Sequence, residues 1–170
     1  GGATATFLCA HCTEGHFGPT IRLAGDRGRA EWTMGAGARI EYDDGTAEAC
    51  PFDPAQQDKM VANFCEAVRA GDGSRLRCDL RAARNVTLAL NGAHESSGRA
   101  FPIGPEHARA VRDAEGQEHV VVAGLDEALR AAAERSCLLS DLPAPPPWAR
   151  RTEPYELAGY RSFPQRFTWG

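Results

Sequence analysis

The part of this chain that decides its fold is the stretch from Asp58 to Arg99, which reads DKMVANFCEAVRAGDGSRLRCDLRAARNVTLALNGAHESSGR. Apolar residues recur in it every three or four positions, which is the period of an amphipathic helix. Gly71 and Gly98 each end one periodic run, as glycine commonly does at a helix C-terminus. The stretch therefore predicts two consecutive helices.

Aspartates mark where the two helices begin. Asp53 precedes Pro54, a residue suited to the first helical position, and Asp79 precedes the second apolar run. We expect one side of each helix to face the core, because its apolar residues align at helical spacing. These residues are Met60, Phe64 and Val68 in the first helix and Leu80, Ala83, Val86, Leu90 and Ala93 in the second.

Upstream of the helices the apolar pattern changes to the alternation of β-strands. Residues Thr4 to His11 alternate between two faces and predict a strand. Polar, glycine-containing turns at 25–28 and 43–45 each separate two alternating runs and predict hairpins. Since strands joined by short turns are antiparallel, we expect a mainly antiparallel sheet.

Downstream of the helices the pattern is weaker. Arg99 to Ile103 predicts an edge strand, because Pro102 cannot donate a hydrogen bond to a ladder. A short helix is expected over Pro105 to Arg112, a strand over His119 to Val122 and a helix over Asp126 to Leu138. The whole order of elements predicts an α+β fold: an open-faced, mainly antiparallel sheet with helices packed on one face.

The C-terminal residues differ in composition from the rest. We expect one domain over residues 1–142, followed by a Pro-rich spacer and an aromatic tail over residues 143–170. The tail is too aromatic for a free linker, so we expect it to lie across its own domain or a partner subunit.

Length and charge exclude several functional classes. A chain of 170 residues is long enough to bury a core. The net charge is −4 and no Lys/Arg stripe occurs, which argues against nucleic-acid binding. No apolar run approaches the roughly 20 residues that span a bilayer. With no secretory signal at the start, we expect a cytoplasmic location, and we expect the chain to begin inside a larger protein.

The six cysteines raise the question of disulfides or metal. In a reducing compartment thiols are expected rather than disulfides. Cys9, His11 and Cys12 resemble half of a zinc site, but no second ligand pair follows at metal spacing. We therefore predict no metal site, and a small zinc protein is the weakest of three hypotheses.

A dinucleotide site needs a Gly-x-Gly-x-x-Gly loop between a strand and a helix. Gly35-Ala36-Gly37 lacks the third glycine, and the 25–28 segment is a hairpin turn. The chain is therefore expected to hold no cofactor-binding residue of this kind.

Three residues are candidate substrate contacts. His11 and Glu14, with His16 nearby, form a polar group that either grips a polyol or moves a proton, or is simply a solvated turn. His94 falls on the apolar side of its helix at about 100° per residue, where a half-buried imidazole needs partners for its ring nitrogens. It is thus either a satisfied core histidine or a ligand-binding residue.

Three segments carry a family resemblance: GDRGRAEW at 25–32, NFCEAVRAG at 63–71, and AHESSGR at 93–99 followed by FPI at 101–103. In this order they resemble the C-terminal domain of the glucose–fructose oxidoreductase / inositol dehydrogenase / rhizopine catabolism (Gfo/Idh/MocA) superfamily. The resemblance covers about residues 2–103.

The resemblance implies a parent protein in which an N-terminal Rossmann domain binds NAD or NADP. It also implies an open-faced sheet that mediates homo-oligomers. The family's Glu-Lys-Pro motif has no match here, since Met60 follows Lys59, and its catalytic pair would lie upstream of Gly1. No catalytic residue therefore transfers onto this chain.

The expected function is that of a substrate-side and oligomerisation domain of an NAD(P)-dependent oxidoreductase acting on a sugar, polyol or related hydroxy compound. Such a domain is not catalytically complete alone. The alternative is a non-catalytic binding or dimerisation module of the same fold.

Overall fold

A computed structural model of the chain describes residues 3–112 and 116–169. The predicted α+β class is confirmed. Four consecutive strands form one antiparallel sheet in the order β1-β2-β3-β4, and β5 and β6 form an antiparallel pair. The strands are β1 (Thr20–Gly25), β2 (Gly28–Thr33), β3 (Gly37–Tyr42), β4 (Ala47–Pro51), β5 (Ala108–Arg112) and β6 (Glu118–Val122); the helices are α1 (Gln56–Ala70), α2 (Leu80–Ser97) and α3 (Leu125–Arg135).

The chain divides into two compact units. The sheet unit, Phe17–Ala83, holds β1 to β4 and α1. The strap unit, Gly1–His16 with Arg84–Gly170, holds most of α2, then β5, β6, α3 and a C-terminal strap that we define as residues 152–168. The predicted division into residues 1–142 and 143–170 stays a prediction.

Both predicted hairpins of the sheet unit are confirmed. The first turn pairs Gly25 with Gly28, and the second is closed by the Asp44 side chain, whose Oδ1 accepts from Thr46 N at 2.8 Å. Gly28 has φ +142°, and a Cβ there would overlap the carbonyl oxygen of Glu41 on β3. Only glycine therefore allows β2 and β3 to approach at this point.

The strand register gives the sheet one apolar face and one charged face. On the charged face Arg22 Nε lies 2.7 Å from Glu31 Oε2, and the two oxygens of Glu41 bind Arg29 and Arg39. The apolar face lies on the opposite side, because alternate residues of a strand point in opposite directions. It consists of Ile21, Leu23, Ala30, Trp32, Ala38 and Ile40.

Helix α1 ends at the predicted glycine, but it begins two residues later than the predicted start at Pro54, with Ala55 and not Asp53 as its N-cap. Asp53 lies just before the helix, where its Oδ1 accepts from Ala55 N at 3.0 Å and its Oδ2 binds Lys59 Nζ. The helix itself begins at Gln56 and ends at Gly71, which has the left-handed φ of 62°. The lysine ammonium, then the Ala55 N–H, hold the pKa of Asp53 below its usual range.

The apolar side of α1 is exposed. Met60, Phe64 and Val68 are 67%, 59% and 63% exposed, and the edge strand of the apolar face is exposed at Ile21 and Leu23. The packing thus differs from the expected helix layer over the sheet, because these apolar side chains find too few partners within the sheet unit.

Helix α2 begins as predicted, with Asp79 Oδ1 accepting from Ala82 N at 2.8 Å, and ends at Gly98. The predicted core-facing side is wrong, because Leu80, Val86 and Leu90 are exposed.

The buried side of α2 instead carries Gly92 and Glu95. A Cβ at Gly92 would lie 2.9 Å from Leu157 Cδ1, so the missing side chain lets the strap approach the helix. Contacts with the C-terminal strap, and not helical periodicity, therefore decide which side is buried.

The core of the strap unit lies around β6 and α3. It confirms the predicted strand over His119 to Val122 and the predicted helix after Leu125. Leu8 packs against this core from the N-terminal segment. The buried apolar residues here are Val121, Val122, Leu125, Ala128, Ala132 and Leu142.

Three predicted elements of this unit are wrong. Residues Thr4 to His11 form no strand, because the two sheets pair other segments and leave this one without a ladder partner; the Thr6 side chain donates from Oγ1 to Ser136 O instead. From Arg99 to Ile103 only Arg99 forms a bridge, with Thr168. The predicted helix from Pro105 to Arg112 is a 3-10 turn, Pro105–His107, followed by β5.

The longest helix in the described part of the chain is α2, with 18 residues that include Arg81, Arg84 and Glu95. Among residues 3–112 and 116–169, no helix is both long and apolar enough to cross a bilayer.

Candidate functional site

The best-defined polar site is built around Glu95, near the C-terminal end of α2. Its side chain is fully buried, and its two oxygens accept four hydrogen bonds from the strap. Oε1 accepts from Tyr160 Oη at 2.7 Å and from Gln165 N at 2.6 Å. Oε2 accepts from Arg166 N at 2.5 Å and from Phe167 N at 2.8 Å. A buried carboxylate is thus satisfied mainly by backbone N–H groups.

These donors decide the charge of the site. Burial raises the pKa of Glu95, but the N–H of Gln165, the hydroxyl of Tyr160 and the other two N–H groups outweigh it and lower the pKa to about 2. Burial, and then the bond to the Glu95 carboxylate, raise the pKa of Tyr160 to about 12. At neutral pH the site holds a carboxylate and a neutral phenol.

Further contacts hold the two ends of the strap to α2. Ser96 Oγ donates to Glu153 O at 2.6 Å at the start of the strap. Thr168 N donates to Gly98 O at 2.9 Å at its end. Together with Glu95, they order a segment that has little regular structure of its own.

His94 lies on the surface beside this segment. Its Nδ1 donates to Leu90 O at 2.8 Å, one helical turn earlier. The imidazole meets Phe167 and Phe163 edge-on, with ring centroids 5.1 and 5.8 Å apart. Trp169 contacts both phenylalanines, at 5.0 and 6.4 Å. We call His94, Phe163, Phe167 and Trp169 the aromatic cluster.

The structure corrects the predicted environment of His94. Its side chain is exposed and not turned into a core. The aromatic partners come from the strap, about 70 residues later in the sequence. Of the two possibilities for this histidine, a core residue is therefore the one that the structure contradicts.

Glu14 lies in a second place, where the N-terminal segment meets α3. Its Oε1 binds Arg109 Nη2 at 2.5 Å. The backbone N–H groups of Glu14 and Gly15 donate to the carboxylate of Asp126 at 3.0 and 2.7 Å. The helix expected to begin at Asp126 has Gly124 as its N-cap, and Asp126 anchors the N-terminal segment instead.

His11 is exposed at a bend before Glu14. The hydrogen bonds, ion pairs and ring contacts of the described residues do not join His11, Glu14 and His94 into one constellation. The contacts of Glu14 involve Arg109 and Asp126, and those of His94 involve the aromatic cluster. Their proposed roles in substrate binding stay predictions.

Glu95 is the residue that sequence reasoning missed. It follows His94 directly and lies on the side of α2 that the apolar pattern assigned to solvent. A glutamate on a polar helix face is ordinary, and its partners are 65 to 72 residues away. No local pattern distinguishes it from an exposed glutamate.

A groove of about 550 Å³ lies along α3 in the strap unit. One wall of the groove is formed by residues 143–148, the Pro-rich spacer up to Trp148. Its charged lining residues are Glu127 and Arg135. His11, Glu14 and His94 are not among its lining residues.

The cysteines and the other metal-ligating side chains are dispersed. All six cysteines are free thiols; Cys9 is exposed and Cys12 is half-buried. Within residues 3–112 and 116–169, no group of three or more His, Cys, Asp or Glu side chains is placed to hold a metal ion.

The glycine segments do not fit a dinucleotide. Gly25 and Gly28 flank the β1–β2 turn, while Gly35 lies in the β2–β3 connection and Gly37 begins β3. Each connection joins antiparallel strands and does not open a helix, so neither presents backbone N–H groups to a pyrophosphate in the usual way.

Comparisons with protein-family models, with curated proteins and with solved structures find no match for this chain.

Proposed function

We propose that this chain is the substrate-side and oligomerisation domain of an NAD(P)-dependent oxidoreductase acting on a sugar, polyol or related hydroxy compound. The observation that carries the proposal is the exposure of apolar surface on the sheet, on α1 and on α2. Domains that assemble with another polypeptide expose such surface when they are alone, because the partner supplies the other half of the core.

The amount of exposed surface supports this proposal. The chain exposes 13342 Å². Two separate compact bodies with the lengths of the sheet unit and the strap unit would expose about 10,000 Å² together. The excess exceeds the roughly 1,600 Å² buried in a typical stable interface.

The order of elements supports the family on which the proposal is based. Two hairpins form one antiparallel sheet, and two helices ending in glycine follow it. The Gfo/Idh/MocA resemblance implies the same order. The chain's glycine segments do not fit NAD or NADP, so in this proposal the cofactor belongs to a domain outside the chain.

In this proposal hydride transfer takes place between that cofactor and a substrate carbon, with the acid and base groups outside the chain. His11, Glu14 and His94 are its candidate substrate contacts. The parent enzyme would be cytoplasmic, and its further partner would be a second copy of itself.

The apolar face of the sheet is the proposed contact between copies. The charged face is less suited, because burying its ion pairs would cost desolvation energy. Leu23, on the edge strand β1, is 65% exposed at the proposed contact.

Leu23→Glu tests the contact. We expect the wild-type chain to be a dimer or larger in light scattering coupled to size-exclusion chromatography, and Leu23→Glu to be a monomer. Ala24→Glu is the matched control, since it adds the same charge on the opposite face, across from Arg29. A monomeric wild type, or equal effects of the two variants, would contradict the contact.

The oxidoreductase proposal is tested on the product of the complete gene. We expect NADH or NADPH to bind, and absorbance at the nicotinamide band to change with a panel of sugars and polyols. A product that binds neither cofactor would remove the oxidoreductase function and leave the oligomerisation result standing.

One observation favours the alternative, a non-catalytic binding or dimerisation module. Glu14 is neutralised by Arg109, and His94 lies in a different cluster, so the candidate contacts form no common site. Cofactor binding without turnover of any panel member would favour this alternative.

A further inference from the structure

The aromatic cluster combines high exposure with fixed positions. Trp169 is 74% exposed, yet its ring lies edge-on to Phe163 and Phe167. Thr168, which precedes it, bridges to Arg99, and its N–H donates to Gly98. Exposed aromatic surface that is held in place is typical of ligand-binding sites.

His94 supplies a defined hydrogen-bonding group at this surface. Because Leu90 O accepts from Nδ1, the proton of the neutral ring is on Nδ1 and the lone pair is on Nε2. The edge contacts with Phe163 and Phe167 fix the plane of the imidazole. The neutral ring is therefore pre-set as a hydrogen-bond acceptor.

Arg99 lies beside the cluster through its backbone, whereas its side chain contacts Phe101. Its guanidinium carbon lies 4.9 Å from the centre of the Phe101 ring, in a cation–π contact. Its backbone pairs with Thr168, the neighbour of Trp169. An exposed apolar ring face and one hydrogen-bond acceptor are thus brought together in the aromatic cluster.

We infer that the aromatic cluster binds a sugar or cyclic polyol, whose C–H face lies on the exposed ring of Trp169 while a hydroxyl donates to Nε2 of His94. A polyol ring suits this surface because it has an apolar face of C–H groups and an edge of hydroxyls. The ligand class rests on the proposed function, but binding itself does not require the cofactor.

Glu95 is the positioning residue of this site. It touches no ligand, but it binds the N–H groups of Gln165, Arg166 and Phe167 and so orders the segment that carries the phenylalanines. Losing this carboxylate would release Phe163 and Phe167 from His94, although α2 itself would remain.

The test is a titration of the isotopically labelled chain with myo-inositol and with glucose, followed by NMR. We expect saturable shifts of the His94 ring signals and of the Trp169 indole N–H. Trp169→Ala should weaken binding and raise the dissociation constant by about tenfold or more. Phe7→Ala is the matched control, because Phe7 is 73% exposed in the same unit but outside the cluster.

Unchanged signals at the highest soluble ligand concentration, or equal affinity of wild type and Trp169→Ala, would overturn the site. His94→Gln tests the acceptor in a separate variant. It should weaken binding while the circular-dichroism spectrum and the melting temperature stay the same. Unchanged affinity in this variant would remove His94 from the site.

Glu95→Gln tests the positioning role below its melting temperature. We expect the ring-current shifts of the His94 protons to disappear and the affinity to fall, with helix content unchanged. Loss of the ring-current shifts at unchanged affinity would show that Glu95 stabilises the strap without positioning the site.

These outcomes are separable from those of the proposed function. Polyol binding by the chain without turnover in the complete gene product would contradict the oxidoreductase function and support the polyol site. Turnover with a KM that Trp169→Ala leaves unchanged would support the oxidoreductase function and contradict the polyol site.

Discussion

The sheet unit and the strap unit treat polar and apolar groups in opposite ways. In the sheet unit a regular ladder carries exposed ion pairs, such as Arg22 with Glu31, and exposed apolar side chains, such as Leu23. In the strap unit an irregular segment is held by one buried carboxylate, Glu95. Regular secondary structure therefore does not imply burial, and irregular structure does not imply exposure.

The energetic difference between the two units follows from solvent. An exposed ion pair contributes roughly 0–1 kcal/mol because water screens its charges. A buried carboxylate must keep its donors, since a charge left unpaired in the interior is strongly destabilising. Changes at Glu95 should therefore have larger effects than changes on the charged face of the sheet.

Glu95→Gln should have the largest effect. It replaces one acceptor oxygen by an NH₂ group and sets N–H donors against the N–H groups of the strap. We expect the melting temperature to fall by on the order of 10 °C. Faster proteolysis within residues 152–168, followed by mass spectrometry, should accompany the fall.

Glu134→Gln is the control, because Glu134 is an exposed glutamate on α3 in the same unit. Equal melting temperatures for the two variants would show that burial of the carboxylate has no energetic consequence.

Acid should release the strap without mutation. The folded-state pKa of Glu95 is lowered to about 2. Its stabilisation is thus complete above the ordinary glutamate pKa of about 4.3. It decreases as the pH falls and is lost below a pH of about 2. Tyrosine fluorescence and strap proteolysis between these pH values should report the change.

In Glu95→Gln this acid step should be missing. A step of the same size in the wild type and in the variant would assign the transition to other carboxylates.

Gly37→Ala should be the largest single change within the sheet unit. Gly37 has φ +96°, and a Cβ there would overlap the Cys50 carbonyl on β4. We expect a loss of on the order of 3 kcal/mol in the free energy of unfolding, measured by urea denaturation.

Gly45→Ala separates the backbone cost of a positive φ from the steric overlap expected at Gly37. Its φ of +86° is similar, but nothing lies within 4 Å of the added Cβ, so only the backbone cost of about 1 kcal/mol applies. Equal losses in the two variants would mean that the approach of β3 to β4 does not constrain Gly37.

Glu31→Gln should have the smallest effect. Its carboxylate pairs with Arg22 on the charged face, where both side chains are more than half exposed. We expect a loss of about 0.5 kcal/mol or less, which decreases further in high salt. A loss comparable with that of Gly37→Ala would contradict the view that this face is fully solvated.

Local residues were sufficient to predict much of the fold. The turn glycines at 25 and 28, the aspartate at 79 and the glycines at 71 and 98 act within a few positions of themselves. Their conformational preferences do not depend on distant contacts. The hairpins, the α+β class, the C-terminal end of α1 and both ends of α2 follow from them.

The predictions that failed needed distant partners. Residues 4–11 alternate like a strand, but a strand also needs a neighbouring strand to pair with, and neither sheet includes this segment. His94 was assigned to the apolar side of α2, yet the buried side is decided by Leu157 and the strap.

By itself, the sequence determined many local conformations of this protein: where the two hairpins turn, that Asp79 caps α2, and where α1 and α2 end. Only the tertiary structure decided what is buried. Glu95 became an interior residue because Tyr160 and three backbone N–H groups surround it, and the apolar sides of α1 and α2 stayed exposed. Backbone preferences act over a few residues, whereas burial depends on surfaces brought together from distant parts of the chain.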